Sequence, residues 1–161
     1  MGAKNGFTIN LSKSQILAIV GGMISIISVF LPWFSATSKT STLSVNGLFS
    51  VSGNGMLMGL IGSNSNWEFQ GAGVLALGFA CIVVAAILRD KIQGIAMVAC
   101  GILIIGGGAV NLWSLRDISL FSGSIFGETV QSGIGYGLYA VVVGGVVTAA
   151  GGLLTWLDLT K

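Results

Sequence analysis

Residues 136–157, YGLYAVVVGGVVTAAGGLLTWL, run for the length of a bilayer crossing without a charge, which leaves few folds open besides a membrane-spanning helix. The glycines narrow the choice further. Gly137, Gly144 and Gly151 recur every seven residues. On a helix that spacing returns to one stripe, along which a neighbour crossing at a shallow left-handed angle can come close. The preceding apolar run repeats the spacing as Gly94, Gly101 and Gly108, and the one before it as Gly71, Gly78 and the small Ala85. Three segments with one packing rule predict a compact bundle of membrane helices.

Composition agrees. Of 161 residues, 53% are hydrophobic and 7% charged, with a mean hydropathy of +0.94, too little charge to cover a soluble surface. The expected class is all-α membrane: a four-helix transmembrane bundle with a small extracellular antiparallel β-sheet from the first outer loop. The length fits a single integral membrane domain over 1–161, with no room for a soluble enzyme module. A net charge of +2 carried by scattered basic residues gives no reason to expect nucleic acid. Histidine is absent, and Cys81 and Cys100 both fall inside apolar runs. No metal cluster, cofactor motif or extracellular disulfide framework follows from them, and both read as small packing residues. Gly6 stands where a myristoylation signal needs Ser or Thr, so no lipid anchor is expected.

In chain order, a polar start with Lys4 and Lys13 precedes the first apolar run, which is read as a helix over about 16–34. A cleaved signal peptide is disfavoured, because the run is long and Phe34 stands where the one candidate cleavage site needs a small residue. Pro32 and Trp33 are expected to end this helix at an interface. The first outer loop, about 35–70, is rich in Ser, Thr, Asn and Gly. Leu43, Val45, Phe49 and Val51 lie on alternate residues, and Asn46-Gly47 and Asn54-Gly55 are tight-turn pairs, so a small sheet is predicted there. Residues 56–62, MLMGLIG, fit either a last strand or a short surface helix. Further helices are predicted over about 71–88, 92–113 and 136–157, with Arg89-Asp90-Lys91 as a tight turn and 114–135 as a second outer loop. Ile118, Leu120, Phe121, Ile125 and Phe126 make that loop too apolar to float free.

Orientation follows from the basic residues. Lys4, Lys13, Arg89, Lys91 and Lys161 fall on one side, Lys39 and Arg116 on the other, which predicts a multi-pass protein of the cell membrane with both termini cytoplasmic. Trp33, Trp67, Trp113, Tyr136 and Tyr139 would then gather at the outer interface and Trp156 at the inner one.

The apolar runs carry no ionisable group in their interiors of the kind a proton relay, ion-coupled transporter or voltage sensor requires, so those mechanisms are disfavoured. Ser25, Ser28, Asn111, Thr148 and Thr155 are expected to bond backbone carbonyls and help the helices pack, with Asn111 a candidate cap for the second loop. Gly106-Gly107-Gly108 lacks the Lys-Ser/Thr of a phosphate loop and reads as close helix contact or a kink. Glu68, Asp117 and Glu128 are the only outer carboxylates; with no nucleophile or cofactor motif beside them, they read as surface charge and the chain as no enzyme.

The helix end FLPWFS, followed by VNGLFSVSGNG, is similar to small, uncharacterised four-helix membrane proteins of bacteria and archaea. In these a Leu-Pro-Trp helix end leads to a Ser/Gly-rich strand segment and a Gly-x-Gly entry toward helix two. The closing GIGYGLYAVVVGGVVTAAGGLL is similar to their last helix. The resemblance implies a fold and carries no activity. The layout of four helices with a large strand-bearing first loop also resembles the claudin and peripheral-myelin-protein group, which acts through lateral assembly. That group's first loop has a disulfide and a Gly-Leu-Trp signature, whereas this one has no cysteine and reads Asn46-Gly47-Leu48-Phe49.

Dense packing motifs without reactive groups point to a non-enzymatic protein that mediates assembly through its outer loops and Gly-lined helices. It would be a homo-oligomer or an accessory subunit of a larger membrane complex, its partners being membrane lipids and other membrane proteins or copies of itself. Phe49, Val51 and Trp67 are the expected assembly contacts. The alternative is an oligomeric channel or facilitator for small solutes, with its pore between protomers.

Overall fold

The computed structural model describes residues 11–48, 50–54, 66–88, 91–119, 123–125 and 128–158; for 66–70, 91, 117–119, 123–125 and 128 the backbone alone is described. The elements run α1 (Lys13–Phe30), β1 (Pro32–Thr37), β2 (Thr42–Asn46), β3 (Val51–Asn54), α2 (Asn66–Ile87), α3 (Lys91–Ser119), β4 (Gly123–Ile125), β5 (Glu128–Ile134) and α4 (Tyr136–Asp158). Three helical stretches, Lys13–Phe30, Ile92–Arg116 and Tyr136–Asp158, are long and apolar enough to cross a membrane; the apolar part of α2, Gly71–Ile87, is shorter.

The first helix starts earlier and stops earlier than its apolar run. Ser12 and Gln15 form a reciprocal capping box, Ser12 Oγ accepting from the Gln15 N–H at 3.2 Å and Gln15 Oε1 from the Ser12 N–H at 2.8 Å. This satisfies two donors that a helix start leaves free. At the other end Pro32 disfavours helical backbone in the residue before it. Leu31 accordingly turns extended at φ −80° and ψ 158°, and the expected helical residues 31–34 become the linker and first part of β1.

Among the described residues the sheet has five strands in the order β3-β2-β1-β5-β4, all neighbours antiparallel. The expected hairpin at Asn46-Gly47 joins β2 to β3, with Asn46 Oδ1 accepting from the N–H groups of Leu48 at 3.1 Å and Ser50 at 2.8 Å. Two features differ from the sequence reading. β1 comes from the predicted end of the first helix, and β4 and β5 come from the second connection, so the sheet is not a product of the first loop alone. Register puts Phe34, Ala36, Leu43, Val45, Val51 and Val130 on one face and Ser35, Thr37, Thr42, Ser44, Ser52 and Gln131 on the other. Residues 56–62, the turn at 89–90 and the Asn54-Gly55 turn lie wholly or partly outside the described residues.

The third helix also exceeds its forecast, continuing beyond 113 to Ser119. Nothing in Ser114-Leu115-Arg116-Asp117 breaks a helix, and Leu115 is buried in a cluster with Val29, Trp33, Val74, Ile104, Leu138 and Val141 beneath the sheet. A second cluster, nearer the termini, joins Ala18, Cys81, Ala85 and Met97. α4 packs most broadly, against α3 and α1; α2 leans on α1 and more loosely on α3. Outward, the helices show Met23, Ile27, Phe79, Ile87, Ile102, Val110 and Val143, each more than half exposed. A bundle with apolar side chains outside and small residues inside is arranged for apolar surroundings.

Candidate functional site

Glycine seams hold the bundle together, and they centre on α4. Gly144 and Gly151 face α1, and Gly137 faces the chain where it leaves α1 for β1. A Cβ on Gly137 would stand 2.8 Å from the carbonyl oxygens of Leu31 and Pro32, one on Gly144 would meet Ser25 Oγ and stand 2.9 Å from the Gly21 carbonyl oxygen, and one on Gly151 would stand 2.9 Å from Ala18 Cα. A second seam lies beside the first. Gly145 and Gly152 face α3, where a Cβ would come to 2.8 Å from Ile105 Cγ1 and 2.7 Å from Met97 Cβ respectively. Opposite them, a Cβ on Gly94 would lie 2.8 Å from the Trp156 nitrogen, on Gly101 2.6 Å from the Ala149 nitrogen, and on Gly108 2.9 Å from Val142 Cγ2. Backbones this close gain dispersion contact that no larger residue permits. Reading one heptad register found the α1 seam and missed Gly145 and Gly152; the signal was the glycine pairs themselves.

The Gly71 and Gly78 stripe divides. Gly78 meets α1, at 2.8 Å from Ile26 Cγ1. Gly71 instead meets the sheet: a Cβ there would strike the Gly47 carbonyl oxygen in the β2–β3 turn. Gly47 is itself pressed on the Trp33 indole, 2.6 Å from its Cε2 by the same measure, and its N–H donates to the Val29 carbonyl at 2.9 Å. Trp33 is 3% exposed, and its Nε1–H donates to the Ser28 carbonyl at 2.9 Å. It is thus a buried post between sheet and bundle rather than an anchor among headgroups. Trp113, Tyr136, Tyr139 and Trp156 do lie on the surface, at 75%, 64%, 54% and 39% exposure. Phe49 lies outside the described residues, as does the Trp67 side chain. Val51 is half-buried and packs against Ala36, Leu43 and Val130, in the sheet's own core.

Buried hydroxyls and amides turn mostly to their own helices. Ser25 donates to the Gly21 carbonyl at 3.0 Å, Thr155 to Gly151 at 2.9 Å and Asn111 to Gly107 at 2.6 Å. Among the described residues Asn111 thus bonds its own helix rather than the second connection. Gln93, 1% exposed, was not singled out by sequence; it receives an N–H from Gln15 at 3.1 Å and donates to the Ala85 carbonyl at 2.8 Å, closing off the end of α2. A polar residue one turn into an apolar run reads as interfacial, which hid it. Glu68, Asp117 and Glu128 have side chains outside the described residues. Among the described residues no three Cys, Asp or Glu come together as a metal site. A groove of about 370 Å³ on the α3–α4 surface is lined by Ile95, Val98, Ala99, Ile102, Leu153 and Trp156, without polar side chains.

No family model matches the chain, and no curated protein is significantly similar to it.

Proposed function

We propose that this is a non-enzymatic integral membrane protein that assembles through its sheet, with copies of itself or as an accessory subunit of a larger membrane complex. The carrying observation is that the glycine seams close inside the monomer, while β3 and β4 stand at the two ends of the sheet order, each paired on one side among the described residues. Gly-lined helices serve the fold, so the assembly surface moves to the sheet. A strand edge offers unpaired N–H and C=O groups that a second strand can complete. The buried polar groups of the bundle bond mainly to its own backbone, which favours assembly over passage of solutes. Lipid acyl chains fit the apolar groove on α3 and α4.

In this reading both termini are cytoplasmic and the sheet is outside the cell. The test is the particle extracted in mild detergent, sized by light scattering. An oligomer or mixed complex that Ser52→Lys on β3 reduces to a folded monomer supports the reading. A wild-type monomer without partners defeats it, and a ring with a central pore favours the channel. Impermeant labelling of single cysteines placed at Thr42 and Thr160 tests the orientation: Thr42 alone should react in intact cells.

A further inference from the structure

We propose that the groove on α3 and α4 holds one anionic phospholipid, with an acyl chain along its apolar wall and the phosphate headgroup at the end marked by Lys91. The inference rests on the membrane reading above and adds to it a lipid class and a place. The groove, of about 370 Å³, is lined by Ile95, Val98, Ala99 and Ile102 of α3 and by Leu153 and Trp156 of α4, a size within the range of clefts that hold small ligands. It opens outward: Ile95, Ile102 and Leu153 are each at least 48% exposed, and Ala99 is exposed among them. Ala99 makes the hollow, because every other lining residue is larger.

The charge at one end selects the occupant. A helix turns about 100° per residue, so Lys91, the first residue of α3, falls within the stripe formed by Ile95, Val98, Ala99 and Ile102, one turn before Ile95. The groove therefore runs toward a cationic residue at the end of the bundle that carries the chain termini. Trp156 stands at the same level, since a Cβ on Gly94 would lie 2.8 Å from its backbone nitrogen, and tryptophan suits the depth at which acyl chains give way to headgroups. Asp158 closes α4 two residues later, which puts it roughly 160° round the helix from Trp156 and away from the groove. An apolar channel that ends at a lysine is complementary to a molecule with a hydrocarbon chain and an anionic head. A zwitterionic lipid matches the wall but not the end. In the orientation proposed above this end lies in the cytoplasmic leaflet, whose anionic lipids attract basic residues next to the membrane.

The experiment is a lipid titration of the full chain in detergent, read by native mass spectrometry. The probes are dioleoyl phosphatidylglycerol, dioleoyl phosphatidylcholine and soluble glycerol phosphate. Folded wild type should retain one phosphatidylglycerol about fivefold more tightly than phosphatidylcholine, the preference that one lysine gives at an anionic surface, and no glycerol phosphate. Lys91→Gln should abolish that preference with an unchanged melting temperature. Ala99→Phe, which fills the hollow, should release either lipid, whereas Val83→Phe, on the outward side of α2 at 51% exposure, should retain it. Equal retention of both lipids by wild type, a preference that survives Lys91→Gln, or equal losses in Ala99→Phe and Val83→Phe overturns the site. Retention of glycerol phosphate as tight as that of the lipid overturns the role of the groove. Lys91→Gln decides the matter even where Ala99→Phe fails to fold. A monomer that prefers phosphatidylglycerol defeats assembly alone, and an assembled particle without that preference overturns this proposal alone.

Discussion

The carbonyl oxygen of Gly47 stands where a side chain on Gly71 would begin. One contact thereby locks the β2–β3 turn to the second helix, while the Trp33 indole holds the same turn from its other side. Gly71→Ala must push the turn away from α2 and should cost about 1–3 kcal/mol, as overpacking does. Gly73, two residues on, has open space at its Cβ position. Gly73→Ala should be neutral or stabilise by up to about 1 kcal/mol through helix propensity. Thermal unfolding of both variants in one detergent checks the contrast, and equal melting points would remove the Gly47–Gly71 lock from the account.

Both faces of α4 should prove intolerant of size. Heptad spacing alone marks Gly144 as the sensitive position and Gly152 as the tolerant one. The structure corrects this, because a Cβ on Gly152 would lie 2.7 Å from both Met97 Cβ and the Val98 nitrogen. Gly144→Leu and Gly152→Leu should each lower stability, by at least the roughly 1–3 kcal/mol of an overpacked core. Gly106→Leu, at a position with nothing within 4 Å, is the control. Melting curves in detergent that separate Gly152 from Gly144 and group it with Gly106 would restore the single-seam picture.

What the sequence revealed follows from what is local. Apolar length and glycine spacing located four helices, because both are written within one helix. The Asn46-Gly47 pair located a hairpin for the same reason. The β1–β5 pairing was hidden: Phe34 pairs with Ile134 from the far end of the chain, and each strand alone is short, with Pro32 and Gly133 diluting its alternation. The end of α3 was missed because Arg116 and Asp117 look like loop residues when the buried Leu115 between sheet and helices is unseen. Trp33 was assigned to headgroups on residue type, whereas its place is set by the Ser28 carbonyl and the flat turn at Gly47.

Gln93 should matter more than its partner. Gln93→Leu keeps most of the volume but leaves the Ala85 carbonyl and the Gln15 amide without their bonds. A cost of about 1–3 kcal/mol is expected from the stranded buried group. Gln15 is half-buried, and after Gln15→Leu the bond from Gln93 to Ala85 survives, so that variant should lose less. Hydrogen exchange at the C-terminal end of α2 gives a local readout: faster exchange in Gln93→Leu alone is the expected result, and equal exchange in both variants would refute the capping role.

The sheet can be asked whether its apolar residues serve assembly or the fold, since neighbouring residues of one strand answer differently. Val51 points into the cluster of Ala36, Leu43 and Val130 and is half-buried there. Ser52 is exposed on the opposite face of the same strand. Val51→Lys puts a charge against apolar neighbours that have no counter-charge to offer, so the sheet itself should open. Ser52→Lys leaves that core intact and adds a charge to an end strand, where lysine discourages pairing with another chain. Size-exclusion chromatography with circular dichroism and limited proteolysis reads both outcomes. Val51→Lys should keep its helical signal and become sensitive to protease within 42–54, because the bundle below is held by its own seams. Ser52→Lys should resist protease and elute as a smaller particle. If Val51→Lys instead yields a protease-resistant monomer, Val51 is an interface residue and the cluster it touches is not what holds the sheet; if Ser52→Lys elutes with wild type, assembly does not run through β3.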